Sequence, residues 1–427
     1  MSRNIKWPLY IAGALCGLAP SLAFAGTCGV IANTAPTKTK CVTAIDIPGN
    51  PLRSYDISWV DSKRGEYFLA DRSNKGIDVI DTKTLKFKRT IGGFVGAIIK
   101  PNNTVDNQHS GPDGVVTHGR WLYAGDGDST LKVIDLDDAK EPIKASIATG
   151  GKTRLDELDV TSDGKFILAA NNAEDPTYAT LFSGNGDAAT NSVKIIAKIT
   201  IQDSIVPKGA ELSLEQPAWD PATKRFYTSI PVIANNPPGC NYKEEKDKEV
   251  TCDGGVLVTD PLNPDANPGL YDPVKRSGVI QLHDCGPNGA SAGPNGNILF
   301  GCTEANNKKN KTTLTLNGFT THQVNIGGIV SSDEVFYNKG DQRYYTGSGR
   351  MKPVPALGVI GADNLLIEIV PISTGSHSVA ADSARNLIFV PQSAAVSVVG
   401  PGADTSTNGE SICGHKNGCI AVYKSGK

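Results

Sequence analysis

The chain has 427 residues, 39% hydrophobic and 6% aromatic, with 42 basic residues against 44 acidic ones. That balance, without basic clusters, argues against nucleic acid as a partner. Its 46 glycines and 26 prolines fit a turn-rich β fold without discriminating further.

Residues 1–25 read as an export signal. Arg3 and Lys6 give a basic start, Pro8 to Phe24 an apolar stretch, and Ala23-Phe24-Ala25 a small-x-small cleavage site. The bulky Leu15 before Cys16 argues against lipoprotein processing there. Cleavage removes two cations and no acids, leaving 40 basic against 44 acidic residues, a net charge of −4. No later segment offers the ~20 apolar residues that a membrane span needs. The expected location is therefore periplasmic or secreted, with no membrane span after cleavage.

Eight cysteines remain, in four sequence-local pairs: Cys28/Cys41, Cys240/Cys252, Cys285/Cys302 and Cys413/Cys419. Spacing suggests local disulfides, although eight cysteines allow about 105 connectivities. With no Cys-x-x-Cys pair, metal binding by cysteine is the weaker reading.

A repeat runs through the rest. Asp56 to Asp71 reads as a short strand, a polar turn and a second strand of Tyr, Phe, Leu and Ala. Copies start at Asp113 (with a shorter turn), Asp156, Glu215, Asn288, Asp333 and His377. Further strands follow: Gly76 to Asp81 and Lys86 to Ile91 after the first copy, Thr130 to Asp135 and Lys144 to Ile147 after the second. Ser192 to Ile196 and Gly255 to Thr259 repeat the theme in the next two. Four short strands per unit of 40 to 75 residues is a propeller signature. The last unit ends at Cys419 to Tyr423, one strand short, while Cys41 to Asp46 is left over at the start. The N-terminal strand should complete the last blade and hide two sheet edges. The reading is all-β: a single seven-bladed β-propeller of four-stranded blades over 26–427, with an insertion at 235–273 in blade 4. The mixed-sign run Lys243 to Glu249 reads as a solvated tip of that insertion.

The seven copy starts converge on one axis: five carboxylates, one amide and one imidazole. At ~6 Å each carboxylate pair repels by several tenths of a kcal/mol even in water. Raised pKa values, nearby cations or a bound metal relieve this. Arg53, Lys152, Arg154 and Lys208 precede inner strands and are candidate cations. A divalent ion on Asp56, Asp113, Asp156, Glu215, Asn288 and Asp333 is the other solution, Ca²⁺ preferred, with Mg²⁺ or Zn²⁺ as alternatives. Solvation of a wet channel is the bland explanation of the same ring.

The blade pattern resembles the seven-bladed YVTN/YncE-like and phosphogluconolactonase-like propellers, through Gly-Pro-Asp-Gly114, Thr-Ser-Asp-Gly164 and Leu-Tyr-Ala-Gly-Asp126. A weaker resemblance to metal-dependent gluconolactonase-like propellers implies that Glu215, Asn288, Asp156 and Asp333 hold a divalent ion. It also implies a lactonase or esterase, or else a lyase, acting on a small oxygenated substrate. His377, Glu215 and Asp156 are then the candidate catalytic groups, with His377 the preferred base. His109, Arg154 and His283 are candidate substrate-binding residues on the rim. A non-catalytic propeller binding a ligand or an envelope protein is the alternative. No Gly-x-Ser-x-Gly elbow, P-loop, dinucleotide fingerprint or Cys-x-x-Cys-His appears, so no nucleotide or haem is expected.

Overall fold

A computed structural model describes residues 1, 25–31, 35–210, 212–240, 252–302, 312–395 and 408–426. Residues 2–24 of the expected export signal (1–25) and the charged run (243–249) lie outside the described residues. Seven antiparallel sheets form the blades. Blade 1 comprises Ser58–Asp61, Glu66–Asp71, Gly76–Asp81 and Lys86–Gly92, from the axis outward. Blades 2 to 6 follow the same order, with inner strands at Val115–His118, Leu158–Val160, Pro217–Asp220, Pro287–Ala292 and Val335–Asn338.

Blade 7 closes as expected. Ala380–Asp382, Leu387–Gln392 and Cys419–Lys424 are joined by Lys40–Ile45, which pairs antiparallel with the last of them. A two-residue strand, Ala25–Gly26, adds to its outer edge. A short helix, Asn408–Cys413, lies in the same blade's insertion.

Two details of the sequence reading change. The third strand of blade 3 is Tyr178–Ser183, and the segment near Ser192 to Ile196 belongs to the fourth, Ile195–Thr200. Tyr178–Ser183 pairs with Phe166–Asn171 through six residues and buries Leu181 and Phe182, whereas Ile195 and Ile196 are exposed. In blade 4, the 235–273 insertion is interrupted by the third strand, Gly254–Thr259.

The core is divided among the blade interfaces, as expected where each blade packs on its neighbours. Between blades 7 and 1, Tyr67 stacks on Phe389 at 4.9 Å among Ile45, Leu69, Ile420 and Val422. Each fully buried side chain of this kind contributes about 1.5–3 kcal/mol. The disulfides Cys28–Cys41, Cys240–Cys252, Cys285–Cys302 and Cys413–Cys419 all form, which fits an oxidising, non-cytoplasmic compartment. Among the described residues, no helix is long and apolar enough to cross a membrane.

Candidate functional site

Backbone geometry brings the seven repeat positions together. In blade 1 the Asp56 N–H donates to the Ala70 carbonyl, and the Ala70 N–H returns to Ile57, at 2.9 and 3.0 Å. The same reciprocal pair sets Asp113, Asp156, Glu215 and Asp333. A second set of bonds runs between blades, because each inner strand is the edge of its sheet. Ile57 donates to the Asp113 carbonyl, Gly114 to Asp156, Gln216 to Asn288 and Glu334 to His377, at 3.0–3.3 Å. Edge N–H groups are thus satisfied by the next blade. The ring position is fixed by main chain, so its side chain is free to vary.

The ring divides into two unlike halves. In blades 1 to 3, Arg72 bridges Asp56 and Asp113, with Nε 3.0 Å from Asp113 Oδ1 and Nη2 on both carboxylates. Arg154 pairs with Asp156 at 2.6 Å and donates to the Asn107 carbonyl at 2.9 Å. The loop carrying Asn107 roofs this half, and its Gln108 carbonyl accepts the Arg154 N–H at 2.7 Å. Of the expected cations, only Arg154 meets the ring. Lys152 and Lys208 are exposed, and Arg53 is half-buried.

Three carboxyls share two guanidinium groups here, and their affinities for protons separate accordingly. Burial would raise Asp56, but Arg72, His377 and Arg154 together hold it well below the usual carboxylate range. Asp113 is pushed well up by burial, against the pull of Arg72 and Arg154. Asp156 is pushed up to about 6, by burial first, with Arg154 opposing and Asp56 reinforcing. Its Oδ1 is buried with no hydrogen-bond partner among the described residues.

His377 belongs to the neutralised side. Its ring stacks on Tyr55 at 4.9 Å, Nδ1 lies 2.7 Å from the Gly375 carbonyl, and Nε2 faces Asp56 at 3.5 Å. The carbonyl requires Nδ1 to carry a proton, which leaves Nε2 turned to a carboxylate and not to the open channel.

Among the described residues, no guanidinium bridges the ring side chains of the other half, in blades 4 to 6, although the Arg154 charge opposes the rise of Glu215. Asn288 Nδ2 donates to Asp333 Oδ1 at 3.0 Å, and Asn288 Oδ1 is buried with no partner among the described residues. Arg350 approaches Asp333 only to 3.8 Å and is largely exposed. Glu215 is buried and pushed well above its ordinary value, by burial and then by Asp156.

A second layer lies one residue along, and the repeat reading missed it. Glu157 is only 3% exposed, and its Oε2 has no partner among the described residues. Burial and the charges of Glu215 and Asp156 push its carboxyl well up. Glu334 Oε2 accepts the Ser378 hydroxyl and the N–H groups of Val379 and Ser58, at 2.9 and 3.3 Å for the last two. It therefore ties blades 6, 7 and 1 together. The recurrence Asp-Glu157, Glu-Gln216, Asp-Glu334 after the ring position was the available signal.

The rim histidines pair with carboxylates that are not ring positions. His109 is exposed and pairs with Asp106 at 3.0 Å, and His283 pairs with Asp253 at 3.1 Å.

The donor set can be tested against a divalent ion. Carboxylate oxygens of Asp56, Asp113 and Asp156 lie within 4.8 Å of one another, but the Arg72 and Arg154 guanidiniums already engage them. A third cation there meets two like charges. In the other half, Asn288 Oδ1 is an unsatisfied hard oxygen, a donor type that such an ion takes.

Fold and ring together define an all-β, seven-bladed propeller with a polar axial site. No protein-family model matches the chain, and neither does any curated protein.

Proposed function

We propose that the protein is an exported, periplasmic or secreted, propeller that binds a small oxygenated molecule at the ring mouth and hydrolyses it as a lactonase or esterase. The observation that carries this reading is the asymmetry of the ring. One half is neutralised by arginine, and the other keeps an orphaned acceptor, Asn288 Oδ1, beside Glu215 and Asp333. A buried acceptor without a donor costs about 1–3 kcal/mol, which a bound cation or ligand relieves. The YVTN/YncE-like or phosphogluconolactonase-like subtype rests on the blade motifs and fits the same reading.

Glu215, Asn288 and Asp333 would hold a divalent ion, Ca²⁺ by preference, and it would supply polarisation of a carbonyl and a more acidic bound water. Asp156 takes the role of base: its free Oδ1 and a pKa of about 6 suit proton abstraction near neutral pH. Arg154 holds the other oxygen of Asp156 and fixes the carboxyl's direction. Arg72 chiefly keeps Asp56 ionised, and His377 Nε2 faces the same carboxylate at 3.5 Å.

The test is hydrolysis of a panel of small lactones and aryl esters by the whole protein with added Ca²⁺. Turnover should fall at least ~100-fold in Asp156→Asn and Glu215→Gln, within the span of lost acid–base catalysis, with melting retained. Undiminished turnover in both variants overturns the assignment. Ligand binding without turnover across the panel would instead make it a non-catalytic binding propeller.

A further inference from the structure

Beyond the ring, toward the opposite mouth, the channel opens into a cavity of about 900 Å³ walled by the inner strands of all seven blades. Small residues make the room: blade 5 contributes Ala290, Ala292 and Gly293, and blade 7 contributes Ala381. The size falls within the range of small-molecule sites, roughly 300–1,000 Å³.

Its chemistry differs from that of the ring. Four partly buried aromatic rings line it: Trp59, Trp219, Phe336 and Tyr337. Trp59 meets Phe336 edge to face at 5.5 Å, and its indole N–H donates to Thr117 Oγ1 at 3.0 Å. The Trp219 indole N–H donates to Ser162 Oγ at 3.0 Å. With both N–H groups committed, the indole orientations are fixed before any ligand arrives.

Two carboxylates sit among these rings, each held by main chain. Asp159 accepts the Trp219 N–H at 2.6 Å and the Val160 N–H at 2.7 Å. Asp61 accepts the N–H groups of Lys63 and Arg64 at 3.0 and 2.9 Å. The lining cations do not neutralise them. Lys63 and Lys339 are exposed, and Arg64 is drawn to Glu66 at 3.0 Å and Asp137 at 3.2 Å. His118 faces Asp187 at 3.5 Å. The lining therefore combines aromatic rings, aliphatic wall and two carboxyl groups, of which Asp159, pushed up to about 7 by burial, is ionised above neutral pH. That is the complement of an organic cation, which gains from ring quadrupoles and carboxylate together when desolvated.

We propose that this second mouth is a binding site for an organic cation of the quaternary ammonium or aryl-ammonium class, separate from the ring site. The two ends of one channel then take ligands of different chemistry.

The experiment is a tryptophan-fluorescence titration of the whole protein, at a pH above neutrality where Asp159 is ionised, with phenyltrimethylammonium and with its neutral isostere tert-butylbenzene. Saturable binding of the cation, at least ~10-fold tighter than the isostere, is expected, a ratio that corresponds to about 1.4 kcal/mol. Trp59→Leu and Asp159→Asn should each weaken it at least ~10-fold, while Lys208→Ala, at an exposed position outside the lining, leaves it unchanged. Where Asp159→Asn melts early, Asp61→Asn takes its place. No saturable binding, equal binding of the isostere, or full affinity in the carboxylate variants overturns the proposal.

Discussion

Arg72 carries two buried carboxylates at once, and that sets what the ring is able to do. Removing it leaves Asp56 and Asp113 in low dielectric with like charges about them. Arg72→Leu should cost about 3–5 kcal/mol, as breaking a buried pair does, measured by urea unfolding at pH 7.5. The loss should shrink as pH falls, because protonation of the two aspartates removes the uncompensated charge. A variant as stable as the parent at pH 7.5 contradicts this role. The ring carboxyls were legible because each opens a repeat. Arg72 was not: it sits in the turn after the second strand of blade 1 and reaches the ring only through folding. Arg154, two residues before a ring position, was within reach of sequence reasoning.

At the scale of the element, the inner strand is the device that spaces the ring, through bonds to the next blade. One position on it, Gly289, and one on the second strand of blade 6, Gly347, admit no side chain. A Cβ at Gly289 would collide with the Asp333 carbonyl oxygen, and one at Gly347 with the His377 carbonyl. The obstacle is backbone in both cases, so it cannot rotate away. Gly289→Ala should cost about 1–3 kcal/mol in thermal or urea unfolding through overpacking, and should displace Asp333 and lower any activity. An unchanged midpoint would show that the blades are not held this closely. The strand repeat and the closing strand were readable from alternation and turn residues. The third strand of blade 3 was not, because the Tyr178–Ser183 segment lies between two loops rich in Asn, Asp and Gly and its neighbour near Ile195 is equally apolar. Register with the second strand decides between them, and that is a property of pairing.

The whole molecule buries carboxyls both at the axis and within a blade, which makes its stability depend on pH. Asp159 is pushed up to about 7 by burial, Asp156 to about 6, and Asp78 well up by burial and then by Asp71. Their folded forms bind a proton more tightly than the unfolded chain. The stability they contribute is complete below about pH 4 and is lost as pH rises through 6 and 7. Asp56, held low, acts with the opposite sign: its contribution is present above about pH 4 and lost in stronger acid. In chelator, the melting temperature should therefore be higher at pH 5.5 than at pH 8. A flat or rising profile between those values contradicts the assignment.

The central claim is that the ring is half neutralised and half open, with the open half ready for a cation. Melting at pH 7.5 in chelator, and then in excess Ca²⁺, tests it most directly. Saturation at 100 times the dissociation constant contributes about 2.7 kcal/mol, so a rise of several degrees is predicted. The rise should disappear in Glu215→Gln and Asn288→Leu and persist in His377→Gln. Identical melting of the parent protein in chelator, Ca²⁺, Mg²⁺ and Zn²⁺ would contradict the account and leave the ring as a solvated channel lining.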